Sequence, residues 1–257
     1  MERVLTIAMN TYRESVRSKI LYSLFFFALL MVAVSAFFGA VTIGDQVKVI
    51  KDFGLFSISM FTVLYAVISG STLLSKELTQ KTIYNILAKP VARWEFLLGK
   101  YLGTLLTGFV MLCLMGGALS LFLACFDGGL SFALFQGYVH ILFELVIVCA
   151  ATIFFSSVVV TPMLSGLFAF GVFLSGRSAE LLHYFVDKGM VGSLGAKFLN
   201  VLYWLLPQLQ KINIADRVVY NQNVDYTFMM YCGVYALGYA GVLLVLSHFI
   251  FSRREFV

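Results

Sequence analysis

Charged side chains are scarce in this chain. Of its 257 residues, 12% are charged and 61% are hydrophobic, whereas a soluble domain is about 25% charged and about 45–50% apolar. So few charges cannot cover the surface of a water-soluble fold, and the mean hydropathy of +0.94 agrees with this. The composition therefore excludes a soluble globular protein and predicts an all-α integral membrane protein.

Motifs for chemistry are also missing. The four cysteines form no C-x-x-C pair and indicate neither a zinc site nor a disulfide framework. The three histidines are scattered, and no G-x-S-x-G or H-E-x-x-H sequence occurs. Lys and Arg exceed Asp and Glu by 18 to 13, but the hydropathy leaves no polar face for a nucleic acid. We therefore expect no catalytic residues, no metal site and no nucleic-acid partner.

Long uncharged runs set the expected architecture. A membrane helix needs about 20 apolar residues to cross about 30 Å of hydrocarbon. Four intervals between charged residues contain 25, 23, 26 and 27 uncharged residues. They predict four membrane spans, over 20–44, 53–75, 94–126 and 226–251.

A further apolar run is too long for one crossing and is broken by polar residues near Pro162. Proline is favoured in the first turn of a helix, where its missing N–H costs no hydrogen bond. We therefore expect two spans here, over 137–159 and 162–183, which makes six in total. In the external segment, 184–225, an apolar stretch around Trp204 is too short to cross and predicts a half-inserted or interfacial helix.

Basic residues indicate the orientation, because they accumulate on the cytoplasmic side of a membrane. With the N-terminus inside, eleven Lys and Arg residues fall in short cytoplasmic segments next to helix ends. Seven fall outside, and five of these are spread from Arg177 to Arg217. Both termini are therefore predicted to be cytoplasmic.

Residues 1–19 predict an amphipathic helix that lies along the inner leaflet before the first span. Arg13 and Arg17 fall mostly away from its apolar face. The alternative is a solvated tail whose basic residues only set the topology. The apolar residues recur at helical spacing: Leu5, Ala8, Met9, Tyr12 and Val16.

Residues 76–93, between the second and third spans, also have an amphipathic pattern. The helix that it predicts ends before Pro90, because the residue before a proline is biased out of the helical region. A new helix can begin just after this proline. A loop with so much structure offers a rigid surface to a cytoplasmic partner. Its apolar face contains Leu78, Ile83, Ile86 and Leu87.

The same stretch carries a family resemblance. From Glu77 to Lys100 the chain reads ELTQKTIYNILAKPVARWEFLLGK. This is similar to a segment of the ABC-2 type transporter permeases that has the pattern E-x-x-x-G-T, a proline followed three residues later by arginine, and a closing G-K. Residues 7–21, IAMNTYRESVRSKIL, look like the elbow helix of the subgroup named for multicopper-enzyme maturation. One departure is Lys81, which stands where many members have glycine and favours an unbroken helix there.

The resemblance implies a permease that binds no cofactor itself. The chain has no G-x-x-x-x-G-K-[ST] loop to hold ATP phosphates. ATP and Mg²⁺ would bind to a separate ATP-binding cassette subunit. Two copies of that subunit would dock on a homodimer of the permease in a bacterial inner membrane and drive export. The alternative class is a stand-alone channel or secondary transporter, which usually shows more intramembrane polar residues, broken helices or inverted repeats.

The resemblance also implies which residues transmit the motion of the ATP-binding subunit. We expect the elbow helix and the cytoplasmic coupling helix to contact it, with Pro90 shaping the contact. The simpler alternative is that these charges only obey the positive-inside rule. The expected contact residues are Arg13, Arg17, Glu77, Lys81, Tyr84 and Arg93.

Glu144 is the acidic residue that lies well within a predicted span, with His140 one helical turn before it. A charge at the bilayer centre costs about 2.5–3.5 kcal/mol on insertion scales, so Glu144 should face protein or a water-filled cavity. One interpretation is a polar contact to the substrate or a proton-sensitive gate. The favoured alternative is a hydrogen-bonded glutamate that stabilises helix packing, about two turns or roughly 10 Å into the span.

Small residues on two of the predicted spans let helices approach closely. Those on the fifth span are expected at a dimer interface, by analogy with the family. The two sets are Gly99, Gly103 and Thr107 on the third span, and Gly166, Gly171 and Gly176 on the fifth.

Overall fold

The computed structural model describes residues 2–41, 45–79, 92–125, 131–159, 161–180, 184, 186, 188 and 193–253. Over these residues the chain is helical and contains no strand. In chain order the helices are α1 (Glu2–Val16), α2 (Lys19–Val41), α3 (Gln46–Thr79), α4 (Arg93–Cys125), α5 (Phe132–Val158), α6 (Pro162–Arg177), α7 (Ser193–Leu205), α8 (Leu209–Ile212), α9 (Ala215–Val219) and α10 (Tyr226–Arg253).

Five of these helices are long and apolar enough to cross a membrane, namely α2, α3, α4, α5 and α10. Two of them begin before the expected spans, α3 at Gln46 rather than residue 53 and α5 at Phe132 rather than residue 137. The expected fifth span, 162–183, corresponds to α6, which has 16 residues. At a rise of about 1.5 Å per residue, α6 is about 24 Å long and does not by itself reach across about 30 Å of hydrocarbon.

The break between α5 and α6 lies where the sequence predicts it. Val159 and Thr161 have extended backbone angles, with φ of −112° and −81° and ψ of 135° and 124°. Pro162 then occupies the first turn of α6, where a residue without an N–H loses no helical hydrogen bond. The proline therefore ends one helix and starts the next.

The consecutive long helices α2 to α5 alternate in direction. Helix α10, which follows several shorter helices, runs in the same direction as α3 and α5. Along α3 and α5, Gly70 lies against Thr152, and Ser59 bonds to Glu144. Along α5 and α10, the Gln136 side chain bonds to Val224, just before α10, and Phe143 lies against Gly233 further along both helices. Since α5 and α10 are parallel, the chain returns from one end of the bundle to the other between them. We call the end that carries α1 the α1 end, and the opposite one the far end.

The core is built around α3 and α5. Buried apolar residues form two clusters, one centred on residues 145–153 of α5 and one on residues 111–123 of α4. By contrast, α2 and α10 present large exposed apolar side chains, as helices in contact with lipid do. These include Tyr22, Phe26, Phe37, Met230, Val234 and Leu237.

Helix α1 is seated on α4 through two glycines. A methyl group added at Gly103 would lie 2.7 Å from the Ala8 carbonyl oxygen, and one at Gly99 would lie 2.7 Å from Ile7 Cβ. Only residues without a side chain allow the two backbones to approach so closely. The sequence placed Ala8 on one face with Leu5, but the structure buries Ala8 and leaves Leu5 70% exposed. The helix therefore has a face on α4 and a separate exposed apolar face.

Candidate functional site

A polar cluster of three side chains from three helices lies within the helix core. The Ser59 hydroxyl donates a hydrogen bond to Glu144 Oε2 at 2.7 Å. The Arg177 guanidinium donates to Ser59 Oγ at 3.0 Å and lies 3.9 Å from Glu144 Oε2. Glu144 is 2% exposed, so its charge is balanced inside the protein rather than by solvent.

Helix geometry determines where this cluster lies. Glu144 comes twelve residues after the start of α5 at Phe132, about 18 Å along the helix. The expectation of about 10 Å was too small because α5 begins before residue 137. Arg177 is the last residue of α6, and α6 ends level with Glu144. From the sequence we expected Arg177 to be an external charge. In the structure it pairs with the buried Glu144 carboxylate, and a buried carboxylate needs a counter-charge.

His140 lies beside the cluster in an aromatic setting. Its ring stacks on Phe228 with centroids 6.0 Å apart and meets Phe143 edge to face at 5.6 Å. Neither of its ring nitrogens, nor Glu144 Oε1, has a hydrogen-bond partner among the side chains and backbone that the structure describes. With Asn213 they line a cavity of about 10 Å³, close to the least that holds one water molecule.

The segment from α8 to the start of α10 closes the far end of the bundle over this cavity. The Gln136 amide donates to the Val224 carbonyl at 2.8 Å and accepts from the Val224 N–H at 2.9 Å. Lys51 is fully buried and donates to Asn221 Oδ1 at 2.6 Å. Asn221 has a φ of 54°, a left-handed conformation that asparagine tolerates better than most residues. In the preceding helix α7, Trp204 is 81% exposed.

The residues expected to contact an ATP-binding subunit fall at the α1 end or outside the described residues. Arg13 is exposed on α1, and Arg17 is exposed directly after it. Glu77 lies in the last turn of α3. Lys81, Tyr84 and Pro90 lie outside the residues that the structure describes.

Arg93 makes contacts that the sequence did not indicate. Its Nη1 donates to the carbonyl oxygens of Phe251 at 3.0 Å and Ser252 at 2.8 Å. These carbonyls belong to the last turn of α10, where unsatisfied C=O groups and the helix dipole favour a cation. The ring of Phe96, one turn along α4, stacks on Phe251 with centroids 6.1 Å apart. Arg93 thus joins the start of α4 to the end of α10.

The two sets of small residues expected from the sequence have different surroundings in the structure. Gly99 and Gly103 form the seat of α1, as described above. On α6, Gly166 faces Val67 and Ser71 of α3, whereas nothing lies within 4 Å of a methyl group placed on Gly171. The α6 glycines therefore do not share one face, and their role at a dimer interface stays a prediction.

These features indicate the broad class of protein to which the chain belongs. Within the described ranges, no group of three or more His, Cys, Asp or Glu residues is arranged to hold a metal ion. The buried polar groups join helices, and the large exposed surfaces are apolar. The long apolar helices indicate a multi-pass membrane protein.

The comparison with known families identifies the chain further. The sequence profile described as "ABC-2 family transporter protein" matches residues 5–256, nearly the whole chain, and the protein belongs to this family. The family consists of membrane transport components that are generally not catalytic themselves and normally work with an ATP-binding subunit. A search among curated proteins finds no significant match. The narrower multicopper-enzyme maturation subgroup stays a prediction.

Proposed function

We propose that the chain is the permease subunit of an ATP-driven exporter. The observation that carries this is the family match over residues 5–256. The sequence contains no phosphate-binding loop of its own, so ATP and Mg²⁺ would bind to a separate subunit. The working assembly is a homodimer of this chain with two copies of that subunit.

The permease crosses the membrane six times in this proposal. The parallel course of α3, α5 and α10 supports it, because the chain must return between α5 and α10. That sixth crossing combines α6, about 24 Å long, with the segment that follows Arg177. Six crossings leave the N- and C-termini on the same side.

That side is the cytoplasm. At the far end, the basic residues on the long helices and on α6 have partners: Lys48 pairs with Asp45 at 2.6 Å, Lys51 bonds to Asn221, and Arg177 pairs with Glu144. The exposed Lys211 and Arg217 lie on the external segment, away from the span ends. At the α1 end, Arg13 and Arg17 are exposed. Exposed basic residues next to span ends are those that mark the cytoplasmic side.

The contacts at the α1 end suit transmission of motion. Helix α1 is locked to α4 at Gly99 and Gly103, and α4 is tied to α10 through Arg93. Closely packed elements move as units rather than deform gradually. A force on the exposed face of α1, through Arg13 and Arg17, would therefore reach two long helices. Glu77, Lys81 and Tyr84, with Pro90, would extend the same contact surface.

The Glu144 cluster has a structural role in this proposal. Its adjoining cavity of about 10 Å³ admits about one water molecule and no larger substrate. Glu144 is also hydrogen-bonded to Ser59 and lies near the charge of Arg177. These contacts favour a joint between α3, α5 and α6 over a substrate contact.

The test measures ATP hydrolysis by the complex of permease and ATP-binding subunit. Combined Arg13→Glu and Arg17→Glu substitutions should abolish the stimulation of ATPase activity by the permease, because they reverse the charge of the proposed contact. Lys211→Glu is the matched control, since Lys211 is exposed on the external segment. Equal activity in both variants would contradict the proposed contact.

A further inference from the structure

A polar cavity lies between α1 and α3 at the α1 end. Its volume is about 400 Å³, within the range of about 300–1,000 Å³ typical of small-molecule sites. It opens near the ends of two apolar spans, since the uncharged run of α2 begins after Lys19 and that of α3 ends before Lys76. The cavity is therefore level with the lipid headgroups. Its polar lining includes Ser15, Arg17, Ser18, Tyr65 and Ser69.

Two hydroxyl groups in this lining are buried without a hydrogen bond. Tyr65 is 2% exposed and Ser15 is 5% exposed. The Tyr65 hydroxyl lies near those of Ser15, Ser69 and Thr107, but no contact of Tyr65 or Ser15 has the geometry of a hydrogen bond in the part of the chain that the structure describes. Buried polar groups are usually satisfied, and the acceptor oxygens of a ligand in the cavity would supply the partners that these two hydroxyls lack.

The charge at the mouth of the cavity suits an anion. Arg17 lines the cavity and is exposed, and Lys19 follows it closely in sequence. Glu14 also lines the rim, so the positive charge is local to Arg17 rather than spread over the surface. A guanidinium with neighbouring hydroxyl donors is a typical setting for a phosphate group.

An apolar groove adjoins this cavity on the other side of α3. It has a volume of about 340 Å³ and runs between α3 and α6. Ile68 and Thr72 line both the cavity and the groove, so the two are separated only by this ridge. The other side chains of the groove are nearly all apolar and include Val67, Met163, Leu167 and Phe170.

We propose that the cavity and the groove together bind one phospholipid. The phosphate lies beside Arg17 and the hydroxyls of Ser15 and Tyr65, and an acyl chain crosses the ridge at Ile68 into the groove. An amphipathic ligand explains why a polar cavity and an apolar groove adjoin at the depth of the headgroups. Arg17 also belongs to the proposed contact with the ATP-binding subunit, so the lipid site is tested on the chain without that subunit. Its failure would leave the proposed transport function, which rests on the family match, untouched.

The first experiment uses native mass spectrometry of the full chain in detergent. The probes are dioleoyl phosphatidylglycerol, dioleoylglycerol, which has the same chains but no phosphate, and glycerol phosphate, which has no chains. Only phosphatidylglycerol should be retained strongly. Equal retention of dioleoylglycerol would overturn the phosphate contact, and equal retention of glycerol phosphate would overturn the groove.

The second experiment compares variants for phosphatidylglycerol retention. Arg17→Gln should weaken binding by about tenfold or more, because a hydrogen bond to a charged group is lost. Arg13→Gln, one turn before Arg17 and not lining the cavity, should leave binding unchanged. Equal losses would mean that the lipid responds only to overall charge, which contradicts the site. Circular dichroism melting establishes that each variant is folded.

A second pair of variants tests the groove. A Cβ at Gly166 would meet Ser71 and Val67 at ordinary distances of 3.4–3.6 Å, so Gly166→Leu fits the backbone and fills the groove. It should reduce retention of phosphatidylglycerol. Gly171→Leu, where nothing lies within 4 Å of the added Cβ, should not. If Gly166→Leu instead separates a dimer and leaves lipid retention unchanged, the groove is an interface between copies and the proposal is wrong.

Discussion

The guanidinium of Arg177 lies 3.9 Å from the Glu144 carboxylate, and Ser59 bonds to both groups. The last residue of α6 is thereby joined to the middle of α5. Because α6 has 16 residues and stops short of the far end, this pair holds the end of an incomplete crossing in place.

Removing Arg177 should therefore destabilise the protein strongly. Breaking a buried pair by removing one partner costs about 3–5 kcal/mol, and Arg177→Met leaves Glu144 without its counter-charge. Glu144→Gln should cost less, since an amide oxygen still accepts from Ser59. Thermal unfolding of the purified chain in detergent measures both. The pair would not be a joint if Arg177→Met had the smaller effect, or if the double variant Arg177→Met/Glu144→Leu showed simple additivity.

The close packing of α1 on α4 predicts that alanine substitutions at two glycines of α4 have different effects on stability. Gly103→Ala should lower the melting temperature and expose α1 to protease, because the new methyl group would lie 2.5 Å from Thr11 Cβ. Gly117→Ala is the control, since nothing lies within 4 Å of its Cβ. Alanine is favoured over glycine in a helix by about 1 kcal/mol, so the control should be neutral or stabilising. The same response in both variants would refute the close approach.

The far-end closure depends on Gln136. Gln136→Met removes both hydrogen bonds to Val224, and an unsatisfied buried backbone group costs about 1–3 kcal/mol. Amide hydrogen exchange should become faster over residues 220–226, with little change in α1. Lys211→Met, which removes only an exposed contact to Tyr203, should leave that exchange unchanged. Unaltered protection in Gln136→Met would show that the closure does not rest on this amide.

Substitutions at Arg93 distinguish an internal role of its side chain, at the end of α10, from a contact with the ATP-binding subunit. Arg93→Ala should increase hydrogen exchange at residues 249–253, because the carbonyls of Phe251 and Ser252 lose their donor. Arg93→Lys should restore part of the protection, as a cation at a helix C-terminus is worth about 0.3–1 kcal/mol. If exchange stays normal in Arg93→Ala while ATPase stimulation falls, Arg93 serves the partner and not α10.

The helices could be anticipated from the sequence because local signals specify them. Charge-free runs mark the long helices, and Pro162 marks the start of α6 through its missing N–H. The start of α3 at Gln46 was less evident, since the charges of Lys51 and Asp52 interrupt its first turns. Burial of Lys51 against Asn221 depends on a segment 170 residues away, which no local pattern reveals.

Only part of the candidate site could be predicted, because the rest depends on contacts between residues far apart in the sequence. Glu144 and His140 stand out because ionisable residues are rare within spans. Ser59 and Arg177 come to the cluster from other helices, and no local sequence pattern marks either of them. A buried carboxylate requires a partner, however, and this requirement could have pointed to Arg177, the basic residue at the end of the following span. Similarly, Gly99 and Gly103 indicate close packing, but their spacing does not identify α1 as the neighbour.

The most direct test of the central claim is purification of the tagged full chain from its native membrane, followed by measurement of ATP hydrolysis in the eluate. We predict that an ATP-binding cassette protein elutes with the chain in equal amount, that the complex hydrolyses ATP, and that the Arg13→Glu/Arg17→Glu variant loses the partner. A chain that elutes without an ATPase, and that moves solutes across liposome membranes without ATP, would contradict the account and identify a stand-alone channel or secondary transporter.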